Sequence, residues 1–143
     1  MHKVTDGFEA ETGIPLLHIA DAVGEKIVQA KIRTVGLLGT IFTMEQDFYR
    51  ERLEKRFGLT VLTPQADDRK IINDIIYKEL VKGIVTDASR KEFERIMDNM
   101  KRSHMEGVIL GCTEIGLLVK SYSLPLFDSA VIHAEKAVEY SLE

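Results

Sequence analysis

The stretch Val108-Ile109-Leu110-Gly111-Cys112-Thr113-Glu114-Ile115 decides the architecture. Three apolar residues of strand character end at a glycine, the only cysteine of the 143-residue chain follows, and a helical pattern resumes within a residue or two. In an open α/β sheet, ligands sit in the crevice outside the carboxyl ends of the strands. A thiol at such a turn faces the positive end of the helix dipole, which favours thiolate and predicts a lowered thiol pKa. The competing reading is plain packing, because free cysteines are among the most buried residue types.

The same strand-then-helix unit recurs along the chain. Thr34-Val35-Gly36-Leu37-Leu38-Gly39-Thr40 is continuously apolar, as expected of a strand buried on both faces. Thr43-Met44-Glu45-Gln46 fits a capping box, opening a helix with Met44, Phe48, Leu53 and Phe57 inward and Gly58 as its stop. Leu59–Thr63 reads as a strand ended by Pro64. Asp67 or Asp68 then caps a helix faced by Ile71, Ile72, Ile75, Ile76 and Leu80, with Gly83 beyond it. Ser89-Arg90-Lys91-Glu92 reads as a second capping box, with Phe93, Ile96, Met97 and Met100 inward. Leu124–Phe127 is the last strand, and Asp128 or Ser129 caps a final helix carrying Val131, Ala134, Val138 and Leu142. Upstream, residues 1–12 are weakly helical with Gly13 as a stop, Ile14–Ile19 reads as a short strand, and a helix follows from Asp21. Strands alternating with helices predict an α/β fold with a parallel sheet covered on both faces.

Composition narrows the function. A formal charge of −4 with no basic stripe argues against nucleic acid or a membrane surface as partner. No apolar run reaches the length of a membrane span, and one cysteine permits no internal disulfide, which points to a reducing cytoplasm. Four scattered histidines and a lone cysteine lack metal-ligand spacing. The two strand ends Gly39-Thr40 and Gly111-Cys112-Thr113 share one logic. Each has a glycine that lets backbone approach a ligand, then a hydroxyl beside helix N–H groups, so a carboxylate substrate is a natural guest. Thr43 is first an N-cap, and Tyr77 and Glu79 mark the rim of the isoleucine helix.

Three sets of residues, taken together, resemble the aspartate/glutamate racemase family. They are Gly111-Cys112-Thr113-Glu114-Ile115, Leu37-Leu38-Gly39-Thr40 with Phe42–Tyr49, and Pro125-Leu126-Phe127-Asp128 with Ile132-His133-Ala134. The likeness is collinear over the whole chain, including Met1–Val4 and Leu17–Asp21. It implies an isomerase of amino acid metabolism that needs no PLP or other cofactor, in which two cysteines invert the α-carbon of aspartate or glutamate. One thiolate removes the α-proton and the opposite thiol returns one. By the resemblance Cys112 matches the second cysteine, Thr40 and Thr113 match small polar residues near the substrate carboxylates, Thr43 is a further contact, and Tyr77 and Glu79 fall in a stretch like a site-lining helix.

In that family the first cysteine lies just upstream of a segment like Met1–Val4. The expected organisation is therefore a fragment. Residues 1–33 form a connecting helix–strand–helix belonging partly to an absent N-terminal half, 34–127 the α/β domain carrying Cys112, and 128–143 a helix that would pack on that half. Such a chain is expected to be inactive alone and to self-associate or bind the N-terminal half. Two rivals remain: a non-catalytic α/β module that binds carboxylates or serves assembly, and a one-cysteine relative of decarboxylase or cis–trans isomerase type.

Overall fold

A computed structural model describes residues 11–142. In chain order the elements are α1 (Ile19–Gln29), β1 (Thr34–Leu38), α2 (Ile41–Glu45), α3 (Asp47–Phe57), β2 (Thr60–Leu62), α4 (Ala66–Lys78), a 3-10 turn (Leu80–Lys82), α5 (Asp87–Lys101), β3 (Gly107–Leu110), α6 (Ile115–Leu118), β4 (Leu126–Asp128) and α7 (Ser129–Ser141). The four strands are all parallel, in the order β2-β1-β3-β4. Val35 pairs with Gly107 and Leu38 with Leu110, so the two central strands end level with each other.

The continuous apolar runs have the two-sided burial expected of them. Leu38, Val108 and Leu110 face one layer, with Ile72, Ile76, Phe93, Ile96 and Met97 of α4 and α5. Val35, Leu37 and Ile109 face the other, with Val23 and Ile27 of α1, Leu53 of α3 and Ile132 of α7. The period-two alternation of a strand thus feeds two cores, and each fully buried Leu, Ile or Phe contributes about 1.5–3 kcal/mol. The chain leaves β1 through α3 on one face toward β2, then returns through α4 and α5 on the other face to β3. Neighbouring β1 and β3 therefore flank the point where the winding reverses, which is where open α/β sheets place their ligand crevice.

Helix α1 joins this body directly. Gly24 lies so close to Phe57 of α3 that a Cβ would stand 2.5 Å from the ring. Asp21 takes a two-point grip from Arg52 at 2.6 and 2.8 Å and pairs with Arg56 as well. Burial alone would raise the Asp21 carboxyl, but the hydrogen bond and charge of Arg52, with Arg56 behind, hold it below its ordinary value.

Several local expectations are corrected. Ile14–Ile19 is not a strand: Pro15 lacks an N–H, no strand among the described residues pairs with the segment, and His18 instead caps α1 by accepting from the Ala20 N–H at 3.1 Å. The helix expected from Thr43 to Phe57 is two helices, α2 and α3, broken at extended Gln46 (ψ 138°), and Thr40 rather than Thr43 is the first N-cap. Thr86, not Ser89, caps α5, accepting from the Ser89 N–H. Helix α4 starts after Gln65 without a side-chain cap, so neither Asp67 nor Asp68 has that role. Gly13, Gly58 and Gly83 all adopt the left-handed conformation of helix and turn stops. The first ten residues of the helix expected over 1–12 lie outside the described residues. No helix among the described residues is long and apolar enough to cross a membrane.

Candidate active site

The carboxyl ends of β1, β3 and β4 converge on one crevice edge. At β1, Thr40 Oγ1 accepts from the Thr43 N–H and lies 3.3 Å from Thr43 Oγ1. The first N–H of α2, that of Ile41, is satisfied from across the edge by Asn73 Oδ1 of α4 at 3.0 Å. At β3 the Gly111 N–H donates to the Leu38 carbonyl at 2.6 Å, extending the β1–β3 ladder one step into the turn. A Cβ on Gly111 would stand 2.9 Å from that carbonyl oxygen, and one on Gly39 3.1 Å from Thr43. Both glycines are needed for this close approach, and Thr43 is wedged against the two strand ends.

Cys112 is partly buried against the α4–α5 core, and its Sγ–H donates to Glu114 Oε2 at 2.9 Å. The Thr113 hydroxyl donates to the same oxygen at 2.6 Å. Glu114 therefore folds back over the turn and gathers both side chains. At β4, Asp128 Oδ1 caps α7 by accepting from Ala130 and Val131. Its other oxygen fills the space a Cβ on Gly116 would need. Buried Ser129 Oγ donates to the Leu110 carbonyl at 2.6 Å, fastening α7 to the strand that delivers the cysteine.

The electrostatics reverse the expectation of a stabilised thiolate. Burial, then the hydrogen bond to the Glu114 carboxylate, push the Cys112 thiol up to about 11. Donation from Cys112 and Thr113 holds the Glu114 carboxyl below its ordinary range. The helix that was to favour thiolate has only four residues, so its dipole cannot offset a carboxylate at hydrogen-bond distance. Alkylation of Cys112 by iodoacetamide is therefore expected to be slow at neutral pH and to accelerate until about pH 11. A rate plateau reached by pH 8 would contradict this. By linkage, a raised thiol pKa contributes stability that is fully present below the ordinary thiol value and is lost as pH climbs through about 11.

Of the residues singled out from sequence, Cys112, Thr113, Thr40 and Thr43 meet at this edge. The structure does not bring the other two into hydrogen-bond contact with them. The Glu79 carboxylate accepts from Ser89 Oγ at 2.5 Å and Thr86 Oγ1 at 3.2 Å, tying the end of α4 to the start of α5. Tyr77 is 57% exposed on α4. Sequence reasoning missed Glu114, Asn73 and Gly116. Glu114 stood in the motif, two residues after the cysteine, and that spacing was the available signal. Among the described residues, no group of three or more His, Cys, Asp or Glu could hold a metal. A separate cavity of about 240 Å³ opens between Pro64, Asp68 and Met100, and Cys112 does not line it.

The sequence profile of the Asp/Glu/hydantoin racemase family matches residues 1–137. Among solved structures, a Yersinia pestis protein described as a candidate Asp/Glu racemase is 48% identical, with a TM-score of 0.95 over 100% of this chain and 63% of its own. An aspartate racemase homologue from Pyrococcus horikoshii OT3 is 39% identical, with a TM-score of 0.91 over 99% of this chain and 63% of its own. The chain thus spans less than two thirds of the length of both. The Picrophilus torridus aspartate racemase, 20% identical with a TM-score of 0.64 over 84% of this chain and 52% of its own, shares the fold.

Proposed function

Because the chain belongs to the Asp/Glu/hydantoin racemase family, we propose that it carries one face of a cofactor-independent racemase site for aspartate or glutamate. The observation that supports this most is Cys112 at the winding reversal, with Thr113 beside it in the turn and Thr40 and Thr43 on the adjoining strand end, where Thr43 abuts Gly111. In this reading Cys112 meets one face of the substrate α-carbon and the hydroxyls receive its carboxylates. The opposing thiolate takes the α-proton, the C–H electron pair moves into the adjacent carboxylate as an enediolate, and Cys112 gives its own proton to the other face. The chain holds a single cysteine, so that opposing thiol comes from outside these 143 residues, and the chain alone racemises poorly. A working thiol also calls for reducing surroundings such as the cytoplasm.

The test is Cα deuterium exchange of aspartate and glutamate in heavy water, with the missing cysteine half supplied in trans. Incorporation that requires Cys112 supports the proposal. No incorporation at any ratio of the two parts sinks it.

The protonated state of Cys112 also favours a second reading, a carboxylate-binding module without catalysis, because a raised thiol is what an inert cysteine would show. Saturable aspartate binding without Cα exchange selects that reading.

The proposed partner surface lies on α7. Val131 and Val138, each more than half exposed, form with Ala134 an apolar strip bordered by Glu135 and Glu139. An apolar strip of this kind favours association in water. Sedimentation is expected to show concentration-dependent self-association, relieved by Val131→Asp. A monomer at every concentration would refute it.

A further inference from the structure

We infer that Glu114 is a positioning residue for Cys112, whose carboxylate holds the Sγ–H and keeps the group a thiol, the proton-donating member of the site. The donor role rests on the racemase reading; the coupling of the two side chains does not. Glu114 Oε2 receives the Sγ–H at 2.9 Å and the Thr113 hydroxyl at 2.6 Å, so two donors converge on one oxygen. A carboxylate that accepts two hydrogen bonds is stabilised as an anion, and an anion beside sulfur disfavours a second negative charge there. Burial of Cys112 acts in the same direction.

Arg90 of α5, the cation that reaches α6, is engaged by the Leu118 carbonyl and by Asp87. From the β4–α7 side comes Asp128, a carboxylate that caps α7 and abuts Gly116. From the β1–α2 side the contributions are the uncharged Thr40 and Thr43. From α4 the contribution is the Asn73 amide, and Glu79 is committed to Thr86 and Ser89. Among the described residues, no ion pair brings a cation to Glu114 or Asp128. The turn is therefore built to oppose thiolate, whereas a general base would want a neighbouring cation. When Cys112 acts, its S–H bond breaks, the new Cα–H bond forms, and the sulfur is left as thiolate facing a carboxylate. That state is costly, so the thiol form is the resting one.

The experiment is a pH titration of the chain by ultraviolet thiolate absorbance and by alkylation rate. With one cysteine in the sequence, the alkylation rate reports on Cys112 alone, and the ultraviolet signal, in which the four tyrosines also titrate, is read as the difference from Cys112→Ser. Wild type is expected to titrate near pH 11. Glu114→Gln, which keeps the shape and removes the charge, is expected to lower the midpoint by about one pH unit and to alkylate about tenfold faster at pH 8. Glu114→Asp, which keeps the charge, is expected to stay nearer wild type than the glutamine variant, and Cys112→Ser to resist alkylation and supply the tyrosine baseline. A glutamine variant that titrates with wild type overturns the inference, as does an aspartate variant shifted as far as glutamine. The racemase reading is decided separately by Cα exchange: a charge-dependent shift without exchange upholds the coupling and rejects the donor role.

Discussion

Gly111→Ala is expected to destabilise the protein by about 2–4 kcal/mol, read as a fall of roughly 10 °C in the thermal midpoint. The added methyl would stand 2.9 Å from the Leu38 carbonyl oxygen and 3.0 Å from Leu37 Cδ1. The oxygen is backbone, and it already accepts the Gly111 N–H at 2.6 Å, so it cannot turn aside without losing that bond. The strand ends must part, and they part at the turn that aims Cys112. Gly36→Ala is the control. Its methyl would meet the sulfur of Met105 and the terminal methyl of Met100, flexible side-chain ends that can move, at a cost of about 1–2 kcal/mol. A differential-scanning melt in which Gly36→Ala is the more damaging of the two would contradict this account.

On the proposed racemase role, Cys112→Ser is expected to reduce Cα exchange by at least about a thousandfold, a barrier increase of about 4 kcal/mol, when assayed with the complementary cysteine half. A serine hydroxyl keeps the shape and the hydrogen bond to Glu114, but its oxygen holds its proton far too tightly to pass it to or from carbon near neutral pH. The side chain is only partly buried at the edge of its core, so the melting temperature should stay within a few degrees of wild type. Exchange that survives within tenfold of wild type would remove Cys112 from the chemistry. A collapse in stability with it would restore the packing reading.

The two central strands were legible because burial on both faces demands an unbroken apolar run, and Val35–Leu38 and Val108–Leu110 have one. The reversal of winding between them was not, since it depends on strand order, which no local pattern encodes. Ile14–Ile19 misled for a related reason. It is apolar enough for a strand, but a strand needs a neighbour, and none is offered among the described residues. The choice between Thr86 and Ser89 as the cap of α5 turns on Glu79, ten residues before Ser89, whose carboxylate binds both hydroxyls. The break at Gln46 carries neither proline nor glycine, and no local residue signals it.

The sequence singled out Cys112, Thr113, Thr40 and Thr43, which the structure places on the adjoining ends of β1 and β3, but it anticipated a lowered thiol where burial and Glu114 raise it. A helix start was visible; its length of four residues and the folding back of Glu114 were not. The quantity that decided the thiol's state was the distance between two side chains separated by a single residue. Helix spacing rules treat such neighbours as pointing apart, and in a tight turn they need not.

Gly116 and Asp128 have a consequence for how such chains diverge. The Asp128 oxygen that is not capping α7 occupies the only place a side chain at position 116 could go. The two positions therefore share one volume, and a side chain at 116 needs room made at 128. Across related sequences, any residue larger than glycine at 116 should be accompanied by a shorter one at 128, with the lost helix cap replaced by serine or threonine there. A pair carrying both alanine and aspartate would require α6 and α7 to have moved apart.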